Sequence, residues 1–198
     1  MTTTQREFER LTVVFDTLGY EMDAQPPASE AEIESILETT GVNVDDSLKE
    51  FWRITNGSGH KHWFAEGDDD FTPYIFLSVK DVLDSWRLFA PYDAALYEQW
   101  YDDEEWGERD PRIQRHFLRH SKWIAFAEFN GGSHVLHFDA DPTSKGYAGQ
   151  VINYIHDPDG VFWRPKNFLT FFKESNDTLE EGIKDDRDYV SEQLWLSW

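Results

Sequence analysis

The chain of 198 residues contains no cysteine. This absence excludes a disulfide framework, a thiol nucleophile, cysteine-ligated zinc or iron–sulfur sites and redox sensing through thiols. The sequence also has no apolar run that approaches the roughly 18–20 residues needed to span a bilayer, and its first ten residues hold no apolar signal-peptide core. We therefore expect a cytoplasmic protein that makes no membrane contact.

Positive charge is scarce as well. The 18 Lys and Arg residues oppose 39 Asp and Glu residues, so the formal net charge is −21 at pH 7. Because nucleic-acid binding depends on clustered cations that contact phosphates, this composition argues against nucleic acid as a direct partner. Aromatic residues are abundant instead, with 15 Phe, 9 Trp and 8 Tyr, and their large rings can supply much of a core.

Local signals predict several helices. Apolar residues at helical spacing predict a first helix over residues 5–18 that ends at Gly19. Capping residues predict where three more helices begin: Ser29 with Glu32, Asp45, and Ser78 with Asp81. Residues 92–121 are rich in charge and also predict helices, with Asp110 as an N-cap before Pro111.

Strand-like segments follow this helical half. They cover residues 73–77, 123–129, 133–138, 150–156 and 161–164, and most are separated by turn-forming residues. A last helix is predicted around Phe168–Phe172, before a highly charged segment that ends the chain. Helices, then a run of strands, then a helix indicate an α+β fold with a mixed or antiparallel sheet of about five to six strands.

The most catalytic-looking segment is Asp139-Ala-Asp141, which follows His134 and His137. Two carboxylates could hold a divalent ion or act as an acid/base pair, so a metal-dependent hydrolase that uses His137, Asp139 and Asp141 is one hypothesis. The spacing does not fit a calcium loop, because Ser144 stands where glycine is needed. We favour a structural β-loop in which Asp accepts backbone N–H groups.

Two histidine motifs lead to no site prediction. His60 and His62 could share the face of a strand as metal ligands, but the surrounding glycines favour a solvated loop. Ser133 and His134 are adjacent and would point to opposite faces of a strand, which prevents them from acting as nucleophile and base. No phosphate-loop, nucleophile-elbow or zinc-protease motif is present, so we predict no catalytic residue, metal or cofactor.

One cationic stretch stands out in this acidic chain. Its members have a spacing that suits one helix face: Arg109, Arg112, Arg115, His116, Arg119, His120 and Lys122. We favour pairing with the acidic segment 98–105 over an RNA contact. The acidic clusters can be interpreted in two ways. They could only keep the protein soluble, or they could bind a cationic protein, with Trp100 and Trp106 as aromatic anchors.

The order of these signals resembles the SUKH superfamily, the domain type of the fungal Smi/Knr regulator of cell-wall synthesis and of many bacterial proteins. The matching segments are Pro27-Ala-Ser-Glu-Ala-Glu-Ile33, Gly41-Val-Asn-Val, Leu48-Lys-Glu-Phe-Trp52, Thr55-Asn-Gly57, Trp123-Ile-Ala-Phe-Ala, Asn130-Gly-Gly, His137-Phe-Asp-Ala-Asp-Pro142, Gly146-x-x-Gly-Gln-Val-Ile152, His156-Asp157 and Trp163 to Phe172. The resemblance covers residues 26–173. It leaves residues 1–25 as a helical extension, residues 174–198 as an acidic extension, and residues 91–121 as a charged helical insertion.

This resemblance implies a protein-binding domain without established catalytic residues. In bacteria, similar proteins are mostly immunity proteins that neutralise polymorphic toxins, often nucleases. We therefore predict a bacterial immunity protein that binds a basic toxin; the alternative is a regulatory scaffold of cell-wall or glucan synthesis. The predicted contact residues are Asp68, Asp69, Asp70, Asp102, Asp103, Glu104, Glu105 and Trp106.

Overall fold

Polar side chains cap the helices where the sequence predicts. A computed structural model describes residues 1–67, 71–90, 109–114, 119–157, 159–165 and 167–195. In those ranges the helices are α1 (Thr3–Leu18), α2 (Glu30–Thr40), α3 (Asp46–Ile54), α4 (Val79–Phe89) and α5 (Phe168–Trp195). Ser29, Asp45 and Ser78 each accept a backbone N–H from the first turn of the following helix, which confirms the three predicted starts.

Six strands form one sheet in the described part of the chain. They are β1 (His62–Gly67), β2 (Phe71–Phe76), β3 (Trp123–Phe129), β4 (His134–Asp139), β5 (Gln150–Ile155) and β6 (Gly160–Trp163). Their order in the sheet follows the chain, and every neighbouring pair is antiparallel. This confirms the predicted α+β class. Of the two predicted sheet types, mixed and antiparallel, the structure has the antiparallel one. The five predicted strands are present within about two residues, whereas β1 was not predicted.

An aromatic cluster joins the helices to one face of the sheet. Phe51 on α3 is fully buried at its centre. Rings from α1, β1, β2 and α5 lie around it with centroid distances of 4.6–6.3 Å: Phe8, Trp63, Phe64, Phe76, Phe168 and Phe172. These mostly edge-to-face and tilted contacts confirm that large rings supply much of the core.

The sheet curls so that its first strand approaches its last two. In a flat sheet β1 and β5 would be about 19 Å apart, since neighbouring strands are separated by roughly 4.8 Å. Here, however, the Glu66 carboxylate on β1 accepts a hydrogen bond from Asn153 Nδ2 on β5 at 2.9 Å. Helix α5 lies along β1, where Ser175 Oγ accepts the backbone N–H of Ala65 at 2.9 Å. The edge of β1 is therefore partly blocked against further pairing.

Helix α5 changes direction at Asp186. The backbone there is non-helical, with φ −149° and ψ 88°, and Asp186 Oδ1 accepts the backbone N–H of Tyr189 at 3.0 Å. Asp186 therefore caps a second helical segment. A Cβ atom built on Gly182 would lie only 2.8 Å from Val190 Cγ2, so the second segment packs back against the first.

The predicted helix that begins at Asp110 is wrong. Residues 111–113 form a turn, in which Asp110 Oδ1 accepts the backbone N–H of Arg112 at 2.9 Å. Asp and Asn favour such local side-chain to backbone bonds, and these compete with helix formation. Residues 119–122 are not helical either, so the cationic stretch does not lie on one helix face. The rest of the predicted helical insertion, residues 91–108 and 115–118, lies outside the described residues.

Candidate functional site

The predicted contact residues lie in two segments outside the described structure. Asp68, Asp69 and Asp70 fall between Gly67 and Phe71, which pair across β1 and β2. Asp102, Asp103, Glu104, Glu105 and Trp106 fall between the end of α4 and Arg109, as does Trp100. Their assignment to a binding surface therefore stays a prediction.

Asp139, the strongest catalytic candidate in the sequence, is a buried acceptor of hydrogen bonds. Its side chain accepts the Trp123 indole N–H at 3.1 Å, the backbone N–H of Asp141 at 3.0 Å and the Gln150 amide at 2.9 Å. Burial raises the pKa of Asp139 to about 6, against the opposing effect of these donors. Because Asp139 has no exposed surface, this geometry supports the structural β-loop interpretation.

The neighbouring hydrolase candidates do not form a metal centre with it. His137 is buried on the same face of β4, where burial lowers its pKa to about 3. Asp141 lies at the surface, and its carboxylate is 3.6 Å from His120 Nε2. Among the residues that the structure describes, no group of three or more His, Asp or Glu side chains could hold a metal ion.

The interpretation of His60 and His62 as one solvated loop is wrong for His62. That residue begins β1, is buried, and its Nδ1 atom lies 3.2 Å from the backbone oxygen of Gln193 on α5. Burial lowers the pKa of His62. The contact joins residues 131 positions apart, so no local pattern could indicate it. Ser133 precedes β4 and donates to the backbone oxygen of Phe129, which leaves no nucleophile–base pair with His134.

A buried polar network, which was not predicted from the sequence, connects the two ends of the curled sheet. Glu66 Oε2 accepts hydrogen bonds from Tyr74 Oη at 2.5 Å and from Asn153 Nδ2 at 2.9 Å, while its Oε1 lies 2.5 Å from Arg164 Nε. Burial, and secondarily the adjacent carboxylate, raise the pKa of Tyr74. The network borders a cleft of about 380 Å³ between β1, α5 and the chain after β6. Through two hydrogen bonds and one ion pair, Glu66 connects β1 with β2, β5 and the chain after β6.

Two cations in the described part of residues 109–122, Arg112 and Arg119, contact aromatic rings. Arg112 pairs with Asp110 and stacks 3.5 Å above the Trp163 ring. The Arg119 guanidinium lies between the rings of Phe89 and Tyr154, at 4.0 and 3.7 Å. Burial lowers the pKa of Arg119, and its Nη1 atom has no hydrogen-bond partner among the residues that the structure describes. These contacts connect Arg112 to β6, and Arg119 to α4 and β5.

Helix α2 carries one of the acidic surfaces in the described part of the chain. Four glutamates lie on α2, and no lysine or arginine lies within it: Glu30, Glu32, Glu34 and Glu38. Glu30 pairs with Arg53 at 2.6 Å, a contact that lowers the pKa of the glutamate. The hydrogen bonds of the capping box lower the pKa of Glu32. Leu37, on the same helix, is also exposed.

A family model describes three quarters of the chain. Residues 27–174 match the SMI1 / KNR4 family (SUKH-1). The chain belongs to this family. Among curated proteins, none matches the chain.

The SUKH-1 region contains the whole sheet together with α2, α3 and α4. It also contains Asp139 and the network around Glu66. Outside it lie α1 and the part of α5 after residue 174, which contact each other: Arg10 pairs with Asp177 at 2.7 Å and with Glu180 at 2.9 Å. The two segments beyond the SUKH-1 region are therefore packed together on one side of the domain.

Proposed function

We propose that this chain is a bacterial immunity protein that binds a cognate toxin domain and neutralises it by protein–protein interaction. The observation that supports this most is the net charge of −21 on a SUKH-1 domain. Toxins that act on nucleic acid are commonly basic, and an acidic partner raises both the rate and the specificity of association with them. We propose a cytoplasmic site of action. None of the helices in the described part of the chain combines the length and apolar character needed to cross a bilayer.

We also propose that the chain acts without catalysis. The support is that Asp139 and His137, the best catalytic candidates, are buried and that three hydrogen-bond donors occupy the Asp139 carboxylate. Groups of this kind stabilise a fold and do not reach a substrate. The function then depends on the surface, where we propose Asp68–Asp70 and residues 102–106 as contacts.

The test is co-expression with the toxin domain whose gene adjoins the gene for this chain. We expect wild-type protein to restore growth and to bind the purified toxin. Changing Asp102, Asp103, Glu104 and Glu105 to Lys should slow association about tenfold or more at low salt, because complementary charge steers the encounter.

A matched control makes the same charge change on α5. The control reverses four of the exposed acidic residues of that helix: Glu181, Asp185, Asp188 and Glu192. Their reversal should slow association much less than reversal of residues 102–105. Equal rates for wild type and the 102–105 variant at low salt would refute that contact assignment, and absence of protection by wild type would refute the function.

A further inference from the structure

Two Asn-Gly pairs occur in the chain, Asn56-Gly57 and Asn130-Gly131. In such a pair the backbone nitrogen of the glycine can attack the side-chain amide of the asparagine, because glycine has no side chain to hinder the approach. The attack also requires the backbone to rotate until that nitrogen faces the side-chain carbon. The local structure therefore decides which of the two pairs can react.

The fold holds Asn56-Gly57 in one conformation. The Asn56 side chain accepts the backbone N–H of Val79 at 2.8 Å, and its backbone N–H donates to the backbone oxygen of Pro26 at 3.1 Å. Gly57 is buried, and a Cβ atom built on it would lie only 3.2 Å from the backbone nitrogen of Ser78. Rotation of this pair would break these hydrogen bonds and separate it from the start of α4.

Asn130-Gly131 lies in the open turn between β3 and β4, and both residues are exposed. The Asn130 side chain makes no hydrogen bond to any residue that the structure describes. A Cβ atom built on Gly131 would meet no atom within 4 Å. The backbone oxygen of Asn130 accepts the N–H of Ser133 at 3.4 Å, which is long for a hydrogen bond. No packing therefore opposes rotation of this pair.

The backbone of this turn is also easily displaced. Asn130 has a φ of 50°, in the left-handed region that a residue with a side chain occupies at a cost. Gly131 and Gly132 follow it with φ of 63° and 88°, and glycine moves between positive and negative φ with little penalty. Exposed turns of this kind open at a low free-energy cost compared with the core.

We propose that Asn130 is a site of spontaneous deamidation. The backbone nitrogen of Gly131 forms a bond to Asn130 Cγ, the Cγ–Nδ2 bond breaks, and Nδ2 leaves as ammonia with the proton from the Gly131 amide. Water then hydrolyses the cyclic imide. Cleavage of the new bond gives aspartate, and cleavage of the original main-chain bond gives isoaspartate. Water is the only co-reactant, and the inference does not depend on the proposed function.

The modification changes the end of a β ladder. Either product adds a negative charge two residues after Glu128, and isoaspartate also adds a methylene group to the backbone. The turn connects Phe129 with His134, which pair at the end of β3 and the start of β4. We therefore expect the modified protein to unfold at a thermal midpoint a few degrees lower, after its separation from unmodified protein by ion exchange.

The experiment incubates the folded full chain in mildly alkaline buffer and follows the two Asn-Gly peptides by digestion and mass spectrometry. The Asn130 peptide should gain the mass difference between an amide and an acid at least about tenfold faster than the Asn56 peptide, because Asn56 must first lose its hydrogen bonds. The rate should increase with pH, since the attacking nitrogen must lose its proton. Labelling by an isoaspartyl methyltransferase identifies the isoaspartate product.

The same chain unfolded in urea is the matched control. Without the fold both pairs should react at similar rates. A second control is Val79→Pro, because proline is tolerated as the first residue of α4 and removes the N–H that binds Asn56. This variant should react faster at Asn56 and at an unchanged rate at Asn130. Circular dichroism establishes that it is folded; the urea control stands if it is not.

Faster modification of Asn130 than of Asn56 in the folded protein, with similar rates in urea, supports the inference. Equal rates at the two pairs in the folded protein overturn it. It is also overturned if Asn130 stays intact in the folded protein while the unfolded chain reacts there, because the turn would then protect the asparagine.

Discussion

Asp139 shows how one side chain can look catalytic in a sequence and be structural in the fold. It combines complete burial with three donors, and burial dominates, so the pKa rises to about 6. His137, two residues earlier on the same face, responds in the opposite direction, and its pKa falls to about 3. Both effects favour the neutral form. Near pH 5 this face of β4 therefore holds two uncharged side chains.

The pKa of Asp139 gives a testable dependence of stability on pH. Its folded-state pKa lies above the unfolded value of 3.8, so ionisation of Asp139 destabilises the fold above pH 6, and this cost is lost as the pH falls towards 3.8. Relative to Asp139→Asn, wild type should gain about 2 kcal/mol of unfolding free energy between pH 7.5 and pH 4.5. Urea unfolding of both proteins at the two pH values measures this difference.

Asp139→Asn also tests the hydrolase hypothesis. If Asp139 only accepts hydrogen bonds, and the proposed immunity function holds, the variant should protect cells from the toxin as well as wild type does. Loss of protection by a folded variant would contradict the structural role, and parallel stability curves would contradict the raised pKa.

At the scale of elements, the bend in α5 depends on Gly182, because glycine has no side chain to collide with the second helical segment. Gly182→Ala would gain about 1 kcal/mol of helix propensity. The added Cβ, however, would lie 2.8 Å from Val190 Cγ2, and valine is too stiff to move aside. We expect a net loss of about 1–2 kcal/mol of unfolding free energy, since overpacking of this kind typically costs about 1–3 kcal/mol.

Two further variants isolate that contact. Glu181→Ala, next to Gly182 and exposed, should change the unfolding free energy by less than about 0.5 kcal/mol. Adding Val190→Ala to Gly182→Ala should cost less than the sum of the single changes, because the smaller side chain accommodates the new methyl group. Additive losses would show that the bend tolerates a side chain at position 182.

Elements that depend on contacts between residues close in the sequence could be predicted from it. Elements that depend on contacts between residues far apart in the sequence could not. Ser29, Asp45 and Ser78 cap helices through bonds to residues three positions ahead, so the sequence around each is sufficient. Burial of β1 depends on α5, more than a hundred residues later, as the contact of His62 with Gln193 shows. The network around Glu66 is equally non-local. The bond from Asp139 to the backbone of Asp141 spans two residues, and this structural role was predicted.

At the scale of the whole molecule, the charge of −21 favours a basic partner and opposes compaction of the free protein. Local ion pairs offset only part of it; Arg10, for example, holds Glu7, Asp177 and Glu180 together between α1 and α5. Salt weakens both the repulsion and these pairs, but acidic residues outnumber basic ones about two to one. The repulsion should therefore dominate the response to salt.

We accordingly expect the thermal midpoint of the free protein to rise by a few degrees between about 10 and 200 mM NaCl. A variant with Glu181→Gln, Asp185→Asn, Asp188→Asn and Glu192→Gln, which removes four exposed charges, should start from a higher midpoint and respond less to salt. Differential scanning calorimetry at matched pH measures both. A midpoint that falls as NaCl is added would contradict this expectation and would mean that ion pairs such as those of Arg10 outweigh the repulsion from the net charge.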